Sequence, residues 1–476
     1  MKVTYSSLLR SICTCFVLVL TFLFAAPSEA QRIDYTTRDV AVGLNVPWEI
    51  RWGHDGWIWF TERAGYFKKV HPDSGIVKNL LFEPEVHSLA EWGLLGFDFH
   101  PDFPNTPFIY IAYTYADSIS QADTILYWEK VVRYTYTPDT LTDKHTIFDK
   151  IRAYDAHNGA RVVVGPDRKL YVSTGETYYS PELAQMDESP NGKILRLNLD
   201  GSIPDDNPWA GSPVWTKGHR NPQGLTFGSD GTLYESEHGD FTDDEVNIIE
   251  RGRNYGWDMV QGFCDKPEEM SICNDSNVVE PLINWTPTIA PSGMELYEHD
   301  RFPEWKNSLL LTSLKDESLW QLILDSAKKK IIGWQKYHIE LTLPDSTTAF
   351  ARRLRDVCFS PDGRIFVSTS NIWSPEWRPD RIFEIIRTGV SHVRDNERKA
   401  FNAVASPNPA IEKITISNLP PNRTTIELID QLGRTVFSSI TSSNEATISL
   451  QTITRGAYYV RIMSDGGIQT IPVIIK

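Results

Sequence analysis

The sequence is short of positive charge, of cysteine and of long apolar runs, and each shortage narrows what the chain can be. Its 47 Lys and Arg are outnumbered by 62 Asp and Glu, for a formal net charge of −15. Such a surface repels phosphate backbones and anionic lipid, so nucleic acid and membrane surfaces are excluded as default partners, and any anion site has to be a local cluster of cations. The apolar run from Cys15 to Ala26 falls short of the ~20 residues of a spanning helix, and no later segment approaches that length, so no transmembrane segment is expected in the mature chain. With Lys2 and Arg10 before it and Ser28-Glu29-Ala30 after it, the run reads as a signal peptide over residues 1–30, cleaved near Ala30. Of the five cysteines, Cys13 and Cys15 then leave with the signal. Cys264 and Cys273, close together in a loop-like stretch, are either one local disulfide or two buried thiols. Cys358, between Val357 and Phe359, reads as a buried strand residue.

What is present is a degenerate repeat in a chain of 476 residues. That length exceeds the ~250 to 300 residues at which one core stops growing, so two units or one large closed repeat are expected. An apolar strand, a turn built on Asp and Gly, and a second strand rich in β-branched and aromatic residues recur as IRWGHDGWIWFTE from Ile50, VVVGPDRKLYVSTGE from Val162, LTFGSDGTLYESEHG from Leu225 and VCFSPDGRIFVSTSN from Val357. A divergent copy runs from Phe97, and NSLLLTSLK from Asn307 reads as another inner strand. One such sheet cannot bury both faces alone. Radial stacking solves that, so the spacing predicts an all-β chain with a six-bladed β-propeller over residues 35–388.

Residues 389–404 are polar and charged and lead into Pro407 and Pro409, as expected of a linker. From residue 405 to 476 short alternating runs such as KITISNL, TTIELID and GAYYVRIM predict a small C-terminal β-sandwich. This tail resembles the sorting domain of the type IX (Por) secretion pathway through Ser406-Pro407-Asn408-Pro409, Asp430 with Gly433-Arg434, Gly456 to Arg461 and the closing Ile474-Ile475-Lys476. The resemblance implies the type IX secretion machinery as a partner, and a chain exported through the periplasm to be secreted or held at the cell surface.

Four segments carry chemistry. In HNGARVVVGPDRKLYVSTGE, His157 precedes one strand and Glu176 ends the next, so both emerge on one rim; a carboxylate in reach of an imidazole sets its tautomer and makes it a better base. In GHRNPQGL, Arg220 and Asn221 sit just before a strand, and a buried guanidinium there needs an anion, either an Asp of a neighbouring blade or a bound cofactor oxygen. The loop ESEHGDFTDDEVNIIERGRNYGW concentrates carboxylates around Gly239, which suits calcium without EF-hand spacing and equally suits a solvated acidic loop. Lys315, Arg352, Arg353 and Arg355 form a cationic set able to grip a multiply charged carboxylate or to pair with surface acids.

Taken in order, these segments resemble the soluble glucose, aldose and sorbosone dehydrogenase family of PQQ-dependent six-bladed propellers, over nearly all of residues 35–388, with GLLGFDFHPDF from Gly93 as the second-blade signature. The resemblance implies an exported PQQ- and calcium-dependent dehydrogenase that oxidises the anomeric hydroxyl of an aldose-type sugar to a lactone and hands the electrons to an external acceptor. It assigns His157 as base, Glu176 as its orienting carboxylate, and Arg220 and Asn221 as cofactor contacts. Lys315, Arg353 and Arg355 are assigned to the PQQ carboxylates, the carbonyls of Gly239 and Asp240 to calcium, and Asp244, Glu245 and Tyr255 to a second, structural calcium. Glu91 falls at the sugar pocket where glucose-oxidising members place Gln, and Ala156 stands where the glucose enzyme carries Asp; both departures bear on which sugar is used.

Two other readings belong to different classes. One is a non-catalytic propeller that binds a carbohydrate or protein, as the hedgehog-interacting proteins use this fold; it has no chemical need for His157 with Glu176 beside a cationic cluster. The other is a calcium-dependent hydrolase, whose usual ring of metal-binding side chains this sequence lacks.

Overall fold

The computed structural model describes residues 33–475 apart from 120–123, 343–347, 372–378, 391–402, 421–423, 431–434, 452 and 465–466. The expected signal peptide and nearly all of the expected linker lie outside the described residues.

The Asp-containing turns do in three dimensions what the repeat suggests. Strand Pro47–Trp52 turns back into Ile58–Glu62, with Trp52 opposite Ile58. Gly56 takes φ 76° there, a left-handed value that glycine adopts without steric cost. Asp230 and Asp167 close the equivalent turns by accepting the backbone N–H two residues on, at 3.0 and 3.2 Å. Each hairpin extends into a four-stranded antiparallel sheet, and six such sheets occur among the described residues of 33–390. Their first strands are Pro47–Trp52, Leu94–Phe99, Gly159–Val164, Pro222–Phe227, Pro291–Tyr297 and Leu354–Phe359. These six touch one another in that cyclic order and close into a ring. The sixth sheet takes its outer strand, Ile33–Leu44, from the start of the unit and sets it beside Asp380–Val390, so hydrogen bonds between the two ends lock the propeller.

The apolar core lies between neighbouring sheets. Trp59 and Phe67 of the first blade, for example, pack on Phe97, Ile111 and Tyr113 of the second. Burying each such side chain stabilises the fold by roughly 1.5–3 kcal/mol. Where the first strands crowd around the axis only glycine fits: a Cβ at Gly293 would lie 1.7 Å from Asp356 Oδ1. All six first strands also shift register close to their beginnings, as between Pro222 and Gly224 or Leu354 and Asp356. A bulge re-aims side chains, and these shifts all fall at the end of the strands where His157 and Arg220 lie.

Two details differ from the sequence reading. Ser308–Ser313 is the second strand of the fifth blade, and the inner one is Pro291–Tyr297. The connection between them spans ten residues and has no Asp-Gly turn to announce the hairpin. The stretch holding Cys264 and Cys273 contains a helix, Pro267–Asp275, and the two cysteines are bonded, with Cα atoms 6.4 Å apart. Cys358 is a buried free thiol in strand Leu354–Phe359.

Ile33–Gly389 forms one compact unit and the described residues from Val390 another. The second unit is a small β-sandwich: one sheet of Val404–Ser406, Lys413–Ser417 and Glu445–Ser449, and one of Thr424–Ile429, Thr435–Thr441, Gly456–Ser464 and Gly467–Ile475. Alternation places Ile414, Ile416, Ile426, Leu428, Val460 and Ile462 in its core. Among the described residues no helix is long and apolar enough to cross a membrane.

Candidate active site

In the third blade Gly159 pairs with Thr174 across the first hairpin. Antiparallel register brings residues equally far beyond a pair to the same place, and His157 and Glu176 each lie two steps further on. His157 Nδ1 is 2.8 Å from Glu176 Oε1, with both residues buried. The backbone is bent to achieve this. His157, Thr177 and Tyr178 hold φ of 59, 75 and 61°, a region non-glycine residues occupy at a cost of about 1–3 kcal/mol each. At Gly175 a Cβ would meet the carbonyl oxygen of His157 at 2.0 Å, so only glycine fits before Glu176. Glu91, in the connection leading into the second blade, fastens His157: its Oε2 accepts the His157 backbone N–H at 2.8 Å and faces Asn221 Nδ2 at 3.5 Å.

Beside this pair a cavity is lined by Trp48, Arg63, Glu91, Gln223, His238, Arg353 and Arg355, among others. Arg355 lies over the Trp48 ring, 3.9 Å from its centroid, and its Nη1 donates to Gln223 Oε1 at 3.0 Å and Ser292 Oγ at 3.2 Å. Burial, then the cations Arg353 and Arg161, push Arg355 down to about 9, with Glu91 opposing. Burial lowers Arg63 and Arg353 as well. The Nε–H groups of Arg63, Arg220 and Arg355 are buried and have no partner among the described residues. Arg63, Arg353 and Arg355 crowd one cavity, and two of them, Arg63 and Arg355, keep a donor unspent there; this set fits an anion with several carboxylates, and Glu91 is the one acid among the described lining residues.

Arg220 stands at the edge of the same mouth. Its Nη2 is 3.1 Å from Asp240 Oδ1, its Nη1 donates to the carbonyl of His238 at 3.2 Å, and its backbone N–H donates to Glu237 Oε2 at 2.6 Å. Asn221 Oδ1 accepts from Gly159 N–H and Gln223 Nε2 at 3.3 and 3.0 Å, tying the fourth blade to the third. Gly239 is half-buried and Asp240 exposed, so both lie at the surface of their loop. Behind it Asp244 accepts the backbone N–H groups of Gly239, Ile289 and Ala290 at 2.5–2.8 Å, while burial lifts it to about 6. Glu245 accepts from Gly262 N–H at 2.7 Å, and burial with Glu237 nearby raises it to about 8. The Tyr255 hydroxyl is used within the fold, donating to Ile248 O at 2.6 Å and accepting from Glu250 N–H at 2.8 Å. Beneath these, ligand atoms of His219, Glu235 and Glu237 lie within 4.8 Å of one another, all buried. Lys315 is exposed, its ammonium 2.5 Å from Thr288 Oγ1, one residue from the cavity-lining Leu314. Arg352 faces Glu317 at 3.5 Å and is not among the residues that line the cavity.

The sequence reading passed over Trp48, Arg63, Gln223, His238 and His219. His238 is held neutral, pushed to about 3 by burial and by Arg220, His157 and Arg355, and its Nε2 is 2.9 Å from the Pro291 carbonyl. The signal that could have found two of these is the repeat. Arg63, His238, Leu314 and Ser370 each follow the residue that pairs with the start of a first strand, namely Glu62, Glu237, Ser313 and Thr369, and all four line the cavity.

An imidazole held by a buried carboxylate, near a cavity lined by three arginines, is the arrangement of a propeller enzyme rather than of a recognition module. The chain belongs to the glucose/sorbosone dehydrogenase family, which residues 44–373 match. It is 32% identical over 421 residues to quinoprotein glucose dehydrogenase B of Acinetobacter calcoaceticus, covering 71% of this chain and 86% of that protein. It is 29% identical to the aldose sugar dehydrogenase YliI of Escherichia coli, covering 68% and 87%. The PQQ-bound aldose sugar dehydrogenase of Streptomyces coelicolor superposes with a TM-score of 0.61 at 29% identity, over 75% of this chain and all of that one. Residues 405–476 match the secretion system C-terminal sorting domain.

Proposed function

We propose that the chain is an exported, calcium-dependent quinoprotein that oxidises the anomeric hydroxyl of an aldose-type sugar to a lactone, with His157 as the base. Membership of the family carries the coarser statement, a PQQ-dependent sugar dehydrogenase. The observation that carries the finer one is the 2.8 Å contact between His157 Nδ1 and Glu176. A proton on Nδ1 directed at the carboxylate leaves Nε2 free to take the substrate's hydroxyl proton, and Glu176 stabilises the imidazolium that results. Glu91, by gripping the His157 backbone, keeps that nitrogen in place and brings a carboxylate to the sugar pocket.

When bound, PQQ supplies the electrophilic carbonyl that accepts hydride from the anomeric carbon, after which two electrons pass to an external acceptor. Arg353 and Arg355, with Lys315 at the margin, would hold its carboxylates, and Asn221 its ring edge. Arg220, with an Nε–H to spare, would face the oxygen that gains charge during reaction. The carbonyls of Gly239 and Asp240 would hold calcium, with Asp244, Glu245 and Tyr255 supporting a second calcium. The match of residues 405–476 to the sorting domain supports export and surface attachment through the type IX machinery, with the signal peptide over 1–30 as the first step.

The test is reconstitution. Purified chain is given calcium and PQQ, and quinone absorbance and dye reduction are recorded with a panel of aldoses. Dye reduction by an aldose is the expected result. Cofactor binding without reduction would favour a recognition module, and absence of binding would end the quinoprotein reading.

A further inference from the structure

The residues after Glu176 do something the chemistry above does not use. Thr177 and Tyr178 are consecutive non-glycine residues with φ of 75 and 61°, and Thr177 is β-branched, the least tolerant class for that region. The backbone N–H of Tyr179 closes the turn onto the carbonyl of Thr177 at 2.6 Å. The outcome of this costly turn is an aromatic ladder leading out of the site. The Tyr178 ring meets His157 edge-on at 5.1 Å, Tyr179 meets Tyr178 at 4.7 Å, and Tyr154 meets Tyr179 at 4.7 Å. The ladder ends on Trp92, 6.4 Å from Tyr154 and stacked at 4.2 Å on Tyr127. Trp92 is buried, but Tyr154, Tyr178 and Tyr179 are 40, 50 and 65% exposed. Asn158 pins the Tyr154 end by bonding its backbone N–H and carbonyl at 3.0 and 2.8 Å.

Rigid, exposed rings of this kind offer apolar faces at little entropic cost, with hydroxyls at their edges. A pyranose has the matching surface, a face of C–H groups bordered by hydroxyls. Exposed Asp155, between Tyr154 and the base, adds an acceptor for those hydroxyls. We propose that Tyr154, Tyr178 and Tyr179 form a stacking subsite for a second sugar ring, so that the preferred substrate is a reducing disaccharide or longer saccharide whose terminal anomeric hydroxyl reaches His157. The inference rests on the sugar-oxidising reading for the identity of its ligand.

The test compares D-glucose, maltose and cellobiose with the full chain loaded with calcium and PQQ, as wild type, as Tyr154→Ala with Tyr179→Ala, and as Tyr179→Phe. The two alanine sites are exposed loop positions, so the fold is retained. The expected result is a disaccharide KM raised about tenfold in the double variant with kcat within twofold, an unchanged KM for glucose, and near-wild-type values for Tyr179→Phe, which keeps the ring. An unchanged disaccharide KM, or an equal rise for glucose, overturns the subsite. A second readout is titration with methyl β-cellobioside, which has no free anomeric hydroxyl, followed by saturation-transfer NMR. If wild type oxidises no sugar, the dehydrogenase reading falls while this titration still decides the subsite. Binding weakened about tenfold by the double variant upholds it, and no binding to wild type overturns it.

Discussion

Glu91 accepts the backbone N–H of His157 through Oε2 at 2.8 Å, so the carboxylate expected at the sugar pocket also positions His157. Its charge also offsets Arg355 and, after Glu317 and Asp380, Arg353. Glu91→Gln keeps an acceptor for the N–H and removes the charge. The apoprotein should then bind PQQ several-fold more tightly, a change on the order of 1 kcal/mol, read by absorbance titration. Glu91→Ala, which strands the N–H as well, should lower turnover. Equal PQQ affinities for wild type and Glu91→Gln would show that this charge does not reach the cavity.

Arg355 should trade stability for affinity. Its guanidinium is buried, flanked by other cations and left with an unspent donor. A base lowered in the fold contributes stability above its unfolded value that is lost as pH falls through about 9, so at neutral pH the full penalty is present. Arg355→Met should therefore raise the melting temperature of the apoprotein and weaken PQQ binding by roughly 10- to 100-fold. A variant that melts lower without cofactor would argue that Arg355 is structural.

Glu295 offers a cleaner pH test, since it lies in a cavity of about 850 Å³ that opens at the other end of the first strands, away from His157. Burial pushes it up to about 8. The stability tied to a raised carboxyl is fully present below the unfolded value and lost as pH rises through the folded one, a window of about 4.5 to 8 here. Urea melts at pH 5 and pH 8 should show Glu295→Gln gaining on wild type by roughly 1 kcal/mol or more across that range. A pH-independent difference would mean that the carboxyl titrates normally.

The blades were legible wherever a short turn carrying Asp separates two β-rich strands, and in the fifth the inner strand was misassigned because a ten-residue connection separates Pro291–Tyr297 from Ser308–Ser313. Closure by Ile33–Leu44 left no local trace, since pairing between distant segments depends on ring geometry rather than on neighbouring residues. His157 and Glu176 could be read together because antiparallel register maps equal steps onto one rim. Arg63 and His238 lay at the same repeat position as each other and would have followed from aligning the hairpins one residue further. The left-handed backbone at Thr177 and Tyr178 could not be read at all, because neither residue type signals it.

The measurement that bears most directly on the account is a pair of titrations on His157→Ala beside wild type: PQQ binding by absorbance, and dye-linked oxidation of the best aldose. The cavity cations stay in place in this variant, so PQQ should bind with wild-type affinity while turnover falls at least about 100-fold. Undiminished oxidation would remove His157 from the chemistry and contradict the account.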